Sequence, residues 1–397
     1  MNRYDVAVIG GGPSGLQAAR GLAHNGLSVL VLEKKKEIGA NVICTGIISQ
    51  DVFQEFGIPK DSVIRDIGTM KIVSPSGQSI TYQHPRPFAS VVDRTKFDHS
   101  LALEAGRAGA DFKLGECVTE IEMNDHGVEL TARREDLEEK KYRAAMVILA
   151  TGIDYHLNRR LGLGCPKNSL TGVQAEIEAS NGTSPTIFFG QNIAPGAFAW
   201  AVPTAPGKLK IGLLTEHEPR KYFSNFLKII SQEWGDAATP ASLDIKAIAQ
   251  GLVVKSYGER VLVLGEAAGQ VKTTTGGGIY YGLLCSRIAA DVVFKACRDG
   301  SFKARQLAEY EHRWKAAIKN EIIIGYYARR LFARLNNDQI ESLFEIAKSD
   351  GIIPLVQKKG HFDWQSDLIL DLVKKAPVFS LLRNIPKKPV FFERYLS

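Results

Sequence analysis

The stretch that decides the fold is Tyr4-Asp-Val-Ala-Val-Ile-Gly-Gly-Gly-Pro-Ser-Gly15, which is followed by a helical stretch and then by Leu27-Ser-Val-Leu-Val-Leu-Glu33. This order predicts a strand, a glycine turn, a helix and a second strand that ends in an acid. In such a turn Gly10 permits the sharp bend, Gly12 lets the backbone approach a pyrophosphate, and Gly15 lets the helix pack closely on the strands. The stretch therefore predicts a dinucleotide-binding fold.

The residues around this turn are the first candidate cofactor contacts. The predicted helix starts near Pro13 and Ser14, where unpaired N–H groups and the positive end of the helix dipole favour a phosphate. Glu33 lies about 20 residues after the glycines, where a carboxylate can bind a ribose diol. Lys34 follows directly.

A second turn, near the end of the chain, indicates which dinucleotide binds. Val261-Leu-Val-Leu-Gly265-Glu-Ala-Ala-Gly269 predicts a buried strand that runs into a turn, and Thr273-Thr-Thr-Gly-Gly-Gly278 precedes a helical pattern. A helix N-terminus there would stabilise the negative charge that a reduced flavin carries near N1 and the C2 carbonyl. FAD is therefore the predicted cofactor. The contacts expected here are Gly265, Glu266, Gly269, Gly276, Gly277, Gly278 and Ile279.

Two further segments are expected near the cofactor. Asp93 is a good helix N-cap, and Arg94 follows it in the first helical turn, where the helix dipole disfavours a cation. An anionic neighbour such as the FAD pyrophosphate would explain Arg94, and a solvated surface arginine is the alternative. The segment 147–152 predicts a buried strand that ends in a small-residue turn. The further candidate contacts are Val118, Thr151 and Gly152.

The composition bounds the class of protein. A chain of 397 residues is long enough for two or three lobes, and 45% hydrophobic with 23% charged residues are globular values. The net charge of +7 is too diffuse to indicate nucleic acid. No apolar run approaches the length of a membrane span, and Met1 lies too close to the first strand for a signal peptide. We therefore expect a cytoplasmic protein, with peripheral contact to the inner face of the membrane left open.

The cysteines limit the chemistry. There are five, without a C-x-x-C pair, which argues against a zinc site, a cysteine-ligated iron–sulfur cluster or paired redox thiols. No metal is expected. Cys44 follows the second strand in a loop that could reach the flavin, and packing as a small buried hydrophobe is an equal alternative.

The order of elements predicts an α/β protein with a discontinuous cofactor lobe. Short strands separated by Pro and Gly between residues 152 and 251 indicate an antiparallel sheet, and a hairpin at 70–83 is expected to join it. The flavin ring and a substrate cavity are expected at the junction of the lobes. The expected boundaries are 1–65, 93–160 and 252–300 for a Rossmann-like FAD-binding domain, 66–92 and 161–251 for an inserted substrate-binding sheet, and 301–397 for a C-terminal helical region.

Two features stand out in the helical region. Apolar residues at helical spacing predict a core stripe. They are Trp314, Ile318, Ile322, Tyr326 and Leu331. The segment 373–394 mixes cations with apolar residues, which suits an anionic membrane surface; a solvated basic tail is the alternative.

With these residues the chain resembles the geranylgeranyl reductase family, within the larger group of flavoproteins built like p-hydroxybenzoate hydroxylase. The most specific element is Pro195-Gly-Ala-Phe-Ala-Trp-Ala-Val-Pro203, which is similar to the family signature P-x-x-Y-x-W-x-F-P, with Phe and Val where the family often has Tyr and Phe. The resemblance implies that this segment lines an isoprenoid cavity near the flavin. The implied substrate contacts are Phe198, Trp200 and Pro203.

Three shorter elements extend the resemblance. Gly265-Glu-Ala-Ala-Gly269 is similar to G-D-A-A-G, whose acid holds the ribityl chain of the flavin, and 93–98 matches D-R-x-x-F-D. Cys44-Thr45-Gly46 resembles the cysteine–glycine active-site loop of the family. All three residues of this loop are therefore implied flavin contacts.

The resemblance implies reduction of isolated carbon–carbon double bonds in a polyprenyl chain by hydride from reduced flavin. An unconjugated alkene has no carbonyl to accept charge, so a proton source must lie within hydrogen-bonding distance. Cys44, Tyr280 and Tyr281 are candidates, and water fits equally well. The implied partners are a polyprenyl lipid or prenyl diphosphate and an electron donor, which is NAD(P)H, a ferredoxin or another small reductant.

Two other functions stay open at this point. One is a flavin-dependent monooxygenase or halogenase, because the fold is shared and the Trp-x-x-Pro end of the 195–203 signature is also similar to halogenases. The other is a membrane-associated flavin-binding protein without catalysis of its own.

Overall fold

The structure is a computed structural model that describes residues 3–134, 138–178, 184–234, 240, 242–349 and 351–383. In chain order the strands are β1 (Arg3–Ile9), β2 (Val29–Glu33), β3 (Ile47–Ser49), β4 (Val63–Ile67), β5 (Thr69–Val73), β6 (Ser79–Gln83), β7 (Ala89–Val92), β8 (Asp111–Leu114), β9 (Cys117–Asn124), β10 (Gly127–Arg133), β11 (Glu139–Leu149), β12 (Asn168–Glu178), β13 (Thr186–Phe188), β14 (Ala199–Ala205), β15 (Lys208–Thr215), β16 (Asp244–Gln250), β17 (Tyr257–Gly258) and β18 (Val261–Val263). The helices are α1 (Pro13–His24), α2 (Gln50–Phe56), α3 (Arg94–Arg107), α4 (His156–Arg160), α5 (Pro219–Trp234), α6 (Ile279–Arg298), α7 (Ala304–Phe332), α8 (Asn337–Ser349), α9 (Ile352–Lys359), α10 (Ser366–Val373) and α11 (Ala376–Arg383), with short 3-10 turns at Lys60–Ser62 and Gly265–Ala268.

The first sheet has eight strands, and its central order is β17-β18-β11-β1-β2-β8. The pairs formed by β1 with β2 and β11, by β11 with β18 and by β2 with β8 are parallel. Strands β9 and β10 extend β11 in antiparallel fashion. Strands β1 and β2 are apolar along their inner length because helices cover both faces of a parallel sheet. The predicted Rossmann-like α/β fold is confirmed.

The second sheet has seven strands in the order β16-β12-β15-β14-β13-β5-β6. All its pairs are antiparallel except β13 with β5, which is parallel, so the expected antiparallel sheet is in fact mixed. Helix α5 covers one face with three buried residues, Phe223, Phe226 and Ile230. The other face is left for the cavity described below.

A third, three-stranded sheet has the order β3-β7-β4. Its middle strand β7 lies inside 66–92, which we expected to belong wholly to the substrate-binding sheet. All four residues of β7 are buried, so no alternation along the sequence marks which sheet the strand joins. The division of the chain into lobes otherwise stays a prediction.

The described part of the C-terminal region is helical, as expected. Helix α7 is 29 residues long, and Trp314, Ile318 and Ile322 on one stripe are fully buried. Helices α8 to α11 pack around its end. Residues 384–397, which include the last part of the basic segment 373–394, lie outside the described residues. Among the described helices, none has the length and apolarity to cross a membrane.

Candidate active site

The three sheets and the C-terminal helices enclose one large cavity of about 1260 Å³. The glycine turn after β1 and the segment before α6 line one side, and the uncovered face of the seven-stranded sheet lines another. Residues from α9, α10 and the loop between them, 360–365, close a third side. The cavity therefore joins the expected cofactor turns to an apolar wall.

The glycine turn after β1 is shaped by close backbone contacts. Gly10 has φ +110°, and a Cβ there would lie 2.3 Å from the carbonyl oxygen of Ala150. A Cβ on Gly15 would lie 2.0 Å from the oxygen of Gly10, so only glycine lets α1 approach the strand this closely. At Gly12 a Cβ would meet no atom within 4 Å. The open side of the turn therefore faces the cavity, where a ligand can approach the backbone.

The start of α1 is free to bind an anion. Pro13 opens the helix, its first turn carries no acidic side chain, and no side chain caps it. Ser14 also lines the cavity. Because no side chain of the described residues caps this end, the first N–H groups and the positive end of the helix dipole are available to an anion in the cavity.

Glu33 ends β2 beside this turn. One carboxylate oxygen accepts the N–H of Gly11 at 2.6 Å, and the other accepts that of Lys35 at 2.9 Å. Each oxygen retains a lone pair, and the carboxylate is held rigidly at the cavity wall. Lys34 next to it lies 3.5 Å from Asp154 in an exposed ion pair.

The N-terminus of α6 reaches the same place. Gly276, Gly277, Gly278 and Ile279 line the cavity, and α6 starts directly after the glycines. A Cβ on Gly282 would lie 2.2 Å from the Ser14 hydroxyl oxygen, so α6 packs tightly on the start of α1. Two helix N-termini therefore converge on one cavity, as the two sequence turns predict.

The turn after β18 brings Gly265 and Glu266 to the cavity wall but not Gly269. Gly265 lines the cavity with φ +63°, and Glu266 pairs with Lys246 of β16, with Oε2 2.8 Å from Nζ. Gly269 does not line the cavity. A Cβ there would lie 2.3 Å from the oxygen of Gly251, so the close packing of the turn requires a glycine at this position. A cofactor contact by Gly269 stays a prediction.

Arg94 is buried and paired. Its Nη2 lies 2.9 and 3.0 Å from the two carboxylate oxygens of Asp98, one turn later in α3. Burial lowers the pKa of Arg94, but Asp98 and the neighbouring Cys44 outweigh this and raise it, so the guanidinium stays charged. Asp98 is therefore the anionic neighbour that the position of Arg94 predicts. The alternative, that Arg94 is a solvated surface residue, is wrong. Arg94 also lines the cavity, so a cofactor contact stays a prediction.

The cysteine loop lies against Arg94. Cys44, Thr45 and Gly46 all line the cavity, and the N–H of Gly46 lies 3.4 Å from the Cys44 sulfur. Gly46 has φ +86°, and a Cβ there would lie 2.5 Å from the oxygen of Val92. The loop is therefore held closely against the end of β7. Val118, Thr151 and Gly152 line the cavity farther along, where Thr151 donates to the oxygen of Asp154 at 2.7 Å.

The two tyrosines of α6 differ in position. Tyr280 lines the cavity, and its hydroxyl donates to Glu55 at 2.8 Å. Tyr281 is not among the lining residues of the described chain; its hydroxyl donates to the main-chain oxygen of Asp363 at 2.8 Å. Burial raises the pKa of both tyrosines. Tyr281 is therefore poorly placed as a proton donor, which sequence position alone did not reveal.

The 195–203 signature forms part of the apolar wall. Phe198, Trp200 and Val202 line the cavity, whereas Pro203 does not. Successive side chains of a strand point to opposite faces of the sheet, so Pro203 in β14 lies on the face away from Trp200. Of the three predicted substrate contacts, Phe198 and Trp200 therefore line the cavity, and Val202 lies beside them; contact of any of them with a substrate stays a prediction.

Sequence reasoning missed much of this wall. Further lining residues from the seven-stranded sheet are Met70, Ile72, Tyr82, Gly172, Val173, Gln174, Thr186, Ile187, Leu214, Ile245, Lys246 and Ile248. Period-two alternation could have found some of them, such as Met70 and Ile72 in β5. The residues added by the C-terminal helices and their loop are Val356, Gly360, His361, Phe362, Asp363, Gln365, Leu368, Ile369 and Leu372.

A buried ion pair joins this loop to the cofactor side. Lys272 Nζ lies 2.6 Å from Asp363 Oδ1, and the two side chains are 6% and 2% exposed. Lys272 also donates to the oxygen of Phe362 at 3.2 Å and lies 4.2 Å from the centre of its ring. The main-chain N–H of Lys272 donates to the oxygen of Gly277 at 2.9 Å. The C-terminal loop is therefore fastened to the turn that precedes α6.

Comparison with known proteins agrees with this geometry. Residues 4–178 match the family model of pyridine nucleotide-disulphide oxidoreductases. The chain is 32% identical over 356 residues to the digeranylgeranylglycerophospholipid reductase of Methanocaldococcus jannaschii, covering 86% of this chain and 90% of the relative. The fold matches a geranylgeranyl bacteriochlorophyll reductase-like protein from Thermoplasma acidophilum at TM-score 0.84 and 23% identity over 100% of both chains. It also matches a flavin-dependent brominase at TM-score 0.73 and 16% identity over 99% of both chains.

The cofactor follows from the site and these relationships. Two helix N-termini, an open glycine turn and a carboxylate at the end of β2 fit the phosphates and a ribose of FAD. The cofactor of this chain is FAD.

Proposed function

The chain belongs to the geranylgeranyl reductase family of FAD-dependent oxidoreductases, and we propose that it saturates carbon–carbon double bonds of geranylgeranyl or other polyprenyl chains in a lipid. The names of its relatives and the apolar residues that line its cavity support this substrate class. The other candidate substrates that carry a polyprenyl chain are a prenyl diphosphate, a quinone with a prenyl tail and a pigment with a chlorophyll-type side chain.

The observation that carries the proposal is the apolar wall opposite the cofactor turns. Phe198, Trp200, Val202, Leu214 and Ile248 line one continuous cavity with the glycine turns. Each buried methylene of a prenyl chain contributes about 0.8 kcal/mol to binding. A cavity of about 1260 Å³ with this apolar wall therefore suits an isoprenoid better than a polar metabolite.

Each part of the site has a distinct task in this reaction. FAD in its reduced form supplies the hydride. The N-termini of α1 and α6, the open turn at Gly12 and the carboxylate of Glu33 would hold the cofactor. The apolar wall aligns the prenyl chain and excludes water from the double bond.

Cys44 is the best placed of the candidate proton donors. Tyr281 does not line the cavity, and the proton of Tyr280 is engaged with Glu55 at 2.8 Å. The Cys44 thiol lies in the cavity wall beside Arg94, and an S–H group is a weak but mobile proton source. In this proposal the thiol delivers a proton to one alkene carbon, and water restores it.

The remaining partners are part of the proposal. The single glycine fingerprint favours an external electron donor, which is NAD(P)H, a ferredoxin or another small reductant. The basic and apolar composition of 373–394 favours peripheral contact with the inner face of a membrane.

The decisive experiment is reoxidation of the reduced protein without oxygen. The protein is reduced with dithionite under argon and mixed with a geranylgeranyl lipid, and flavin absorbance and lipid mass are followed. We expect reoxidation together with a gain of two mass units for each double bond reduced. If the reduced protein consumes oxygen rapidly with an aromatic substrate and does not react with the lipid, it is a monooxygenase or halogenase instead. A flavin that no donor reduces would indicate a non-catalytic role.

A further inference from the structure

The loop that carries Cys44 is held by few backbone hydrogen bonds. It runs from the end of β2 to the start of β3, and residues 41–45 make no main-chain to main-chain hydrogen bond with any residue that the structure describes. The loop is fixed at its end, where the N–H of Val92 donates to the oxygen of Gly46 at 2.8 Å. The position of Cys44 therefore depends on contacts made by side chains.

One such contact comes from the seven-stranded sheet. The Nζ of Lys210 in β15 donates to the main-chain oxygen of Cys44 at 3.3 Å. Two other side chains donate to main-chain oxygens nearer the start of the loop, and they belong to the loop itself and to α3. They are Lys35, which binds the oxygen of Ala40, and Thr95, which binds that of Gly39. Lys210 therefore ties the Cys44 loop to the sheet that forms the apolar wall.

The ammonium of Lys210 is available for this contact. It forms no ion pair within the part of the chain that the structure describes. The residue opposite it on β12 is Glu176, which pairs instead with Lys208, with Oε1 3.4 Å from Nζ. A hydrogen bond from a charged donor is about twice as strong as one between neutral groups. The bond to the Cys44 oxygen is therefore strong enough to hold the loop in place.

Lys210 also lies at the cavity wall. It is paired across the sheet with Val202 of β14, which lines the cavity. Side chains alternate between the two faces of a strand, so Lys210 shares a face of β15 with Leu214, which lines the cavity as well. The wall that would align the prenyl chain and the loop that carries the thiol are therefore joined at one residue.

We propose that Lys210 is a positioning residue, whose hydrogen bond to the Cys44 oxygen holds the thiol at a fixed distance from the prenyl chain on the apolar wall. This inference rests on the proposed function, including the role of Cys44, and deepens it. In that reaction the alkene takes hydride at one carbon and the Cys44 proton at the other, and Lys210 gives up no proton. Because proton transfer requires hydrogen-bond reach, releasing the loop should slow the chemical step without weakening lipid binding.

The test is Lys210→Met, which keeps the apolar stem of the side chain and removes the donor. With a saturating geranylgeranyl lipid and no oxygen, reoxidation of the reduced holoenzyme should slow about tenfold, the usual effect of one lost hydrogen bond. Lipid affinity and flavin reduction should not change. Lys210→Arg still carries a charged donor and should recover most of the rate. Lys208→Met is the matched control, because it removes the same charge from the same face of β15 but only breaks the exposed pair with Glu176.

Two further measurements separate positioning from a general loss of stability. In a Cys44→Ala background, Lys210→Met should have little further effect on the rate, because the two residues then act as one unit. In the oxidised holoenzyme, iodoacetamide should alkylate Cys44 faster in Lys210→Met than in the wild type, because the loop opens more often. The alkylated cysteines are mapped by peptide mass, and the exposed Cys117 serves as the internal reference.

An unchanged rate in Lys210→Met, or an equal loss with and without the Cys44 thiol, would overturn the proposal. A loss that occurs with an anionic lipid but disappears with geranylgeraniol, a neutral prenyl alcohol, would also overturn it, because the ammonium would then bind the headgroup. Wild-type protein that reduces no prenyl lipid would instead refute the proposed function itself. The alkylation rates would still show whether Lys210 holds the Cys44 loop.

Discussion

The buried pair of Lys272 and Asp363 gives the sharpest prediction about stability. Asp363→Asn keeps the shape of the side chain but removes the one carboxylate of the described residues that forms an ion pair with the Lys272 ammonium, which is 2.6 Å away and 6% exposed. Lys272 would then have only neutral acceptors, such as the oxygen of Phe362 at 3.2 Å. Removing one partner of a buried pair costs about 3 to 5 kcal/mol. We expect the lower end, because the asparagine oxygen still accepts one hydrogen bond.

The effect should be concentrated in the C-terminal loop. Besides the ion pair, Thr274 and Gln365 join this loop to the cofactor side, and Glu321 of α7 accepts the N–H of Gln365 at 2.8 Å. Amide exchange of residues 360–366 should therefore accelerate by about two orders of magnitude or more, at 1.4 kcal/mol for each factor of ten. Urea unfolding measures the corresponding change in the free energy of unfolding of the whole protein.

The matched control removes both charges. Lys272→Met with Asp363→Leu leaves no uncompensated ion, so it should recover most of the lost stability, because buried pairs are often replaced by apolar residues at little cost. If the double variant is as unstable as Asp363→Asn, or if Asp363→Asn costs less than about 1 kcal/mol, the charge pair is not what fastens the loop.

Three further outcomes are expected. The Gly12→Ala protein should fold normally, because the new Cβ meets nothing within 4 Å, but it should release FAD on gel filtration. Gly15→Ala should instead lower the melting temperature, because its Cβ would lie 2.0 Å from the oxygen of Gly10. Equal effects of the two changes would contradict the assignment of the open turn to the pyrophosphate. Cys44→Ala should slow alkene reduction far more than Cys44→Ser, with flavin reduction unchanged in both, and full activity of the alanine variant with saturating lipid would exclude a proton relay. Burial raises the pKa of Cys297 to about 12, above the unfolded value of about 8.5. The contribution of the buried thiol to stability is therefore complete below about pH 8.5 and is lost as the pH rises towards 12. Between about pH 9 and 11 the urea midpoint should fall less in Cys297→Ala than in the wild type, and an identical pH dependence in the two proteins would refute this.

The sequence by itself determined the cofactor-binding half of the site. Gly10 has a positive φ, and a Cβ on Gly15 would lie 2.0 Å from the oxygen of Gly10, so other residue types cannot meet these local backbone requirements. The helices that follow the two turns carry their own start signals, Pro13 and a run of glycines. Such features act within a few residues, so they are readable along the chain.

Only part of the cavity wall formed by the seven-stranded sheet could be predicted from the sequence. Strand alternation could have placed Val202 rather than Pro203 on the cavity face, because the period of a strand is fixed. The sheet joined by β7 could not be predicted, since all four of its residues are buried.

Only the tertiary structure brought the C-terminal loop into the cavity. Lys272 and Asp363 are 91 residues apart in sequence, and neither has a local pattern that points to the other. The partner of Arg94 shows the contrast, because Asp98 lies one helical turn away, where residues four apart share a face. Contacts within one element follow from its period, whereas contacts between distant segments depend on how the elements pack, and no residue type encodes that arrangement alone.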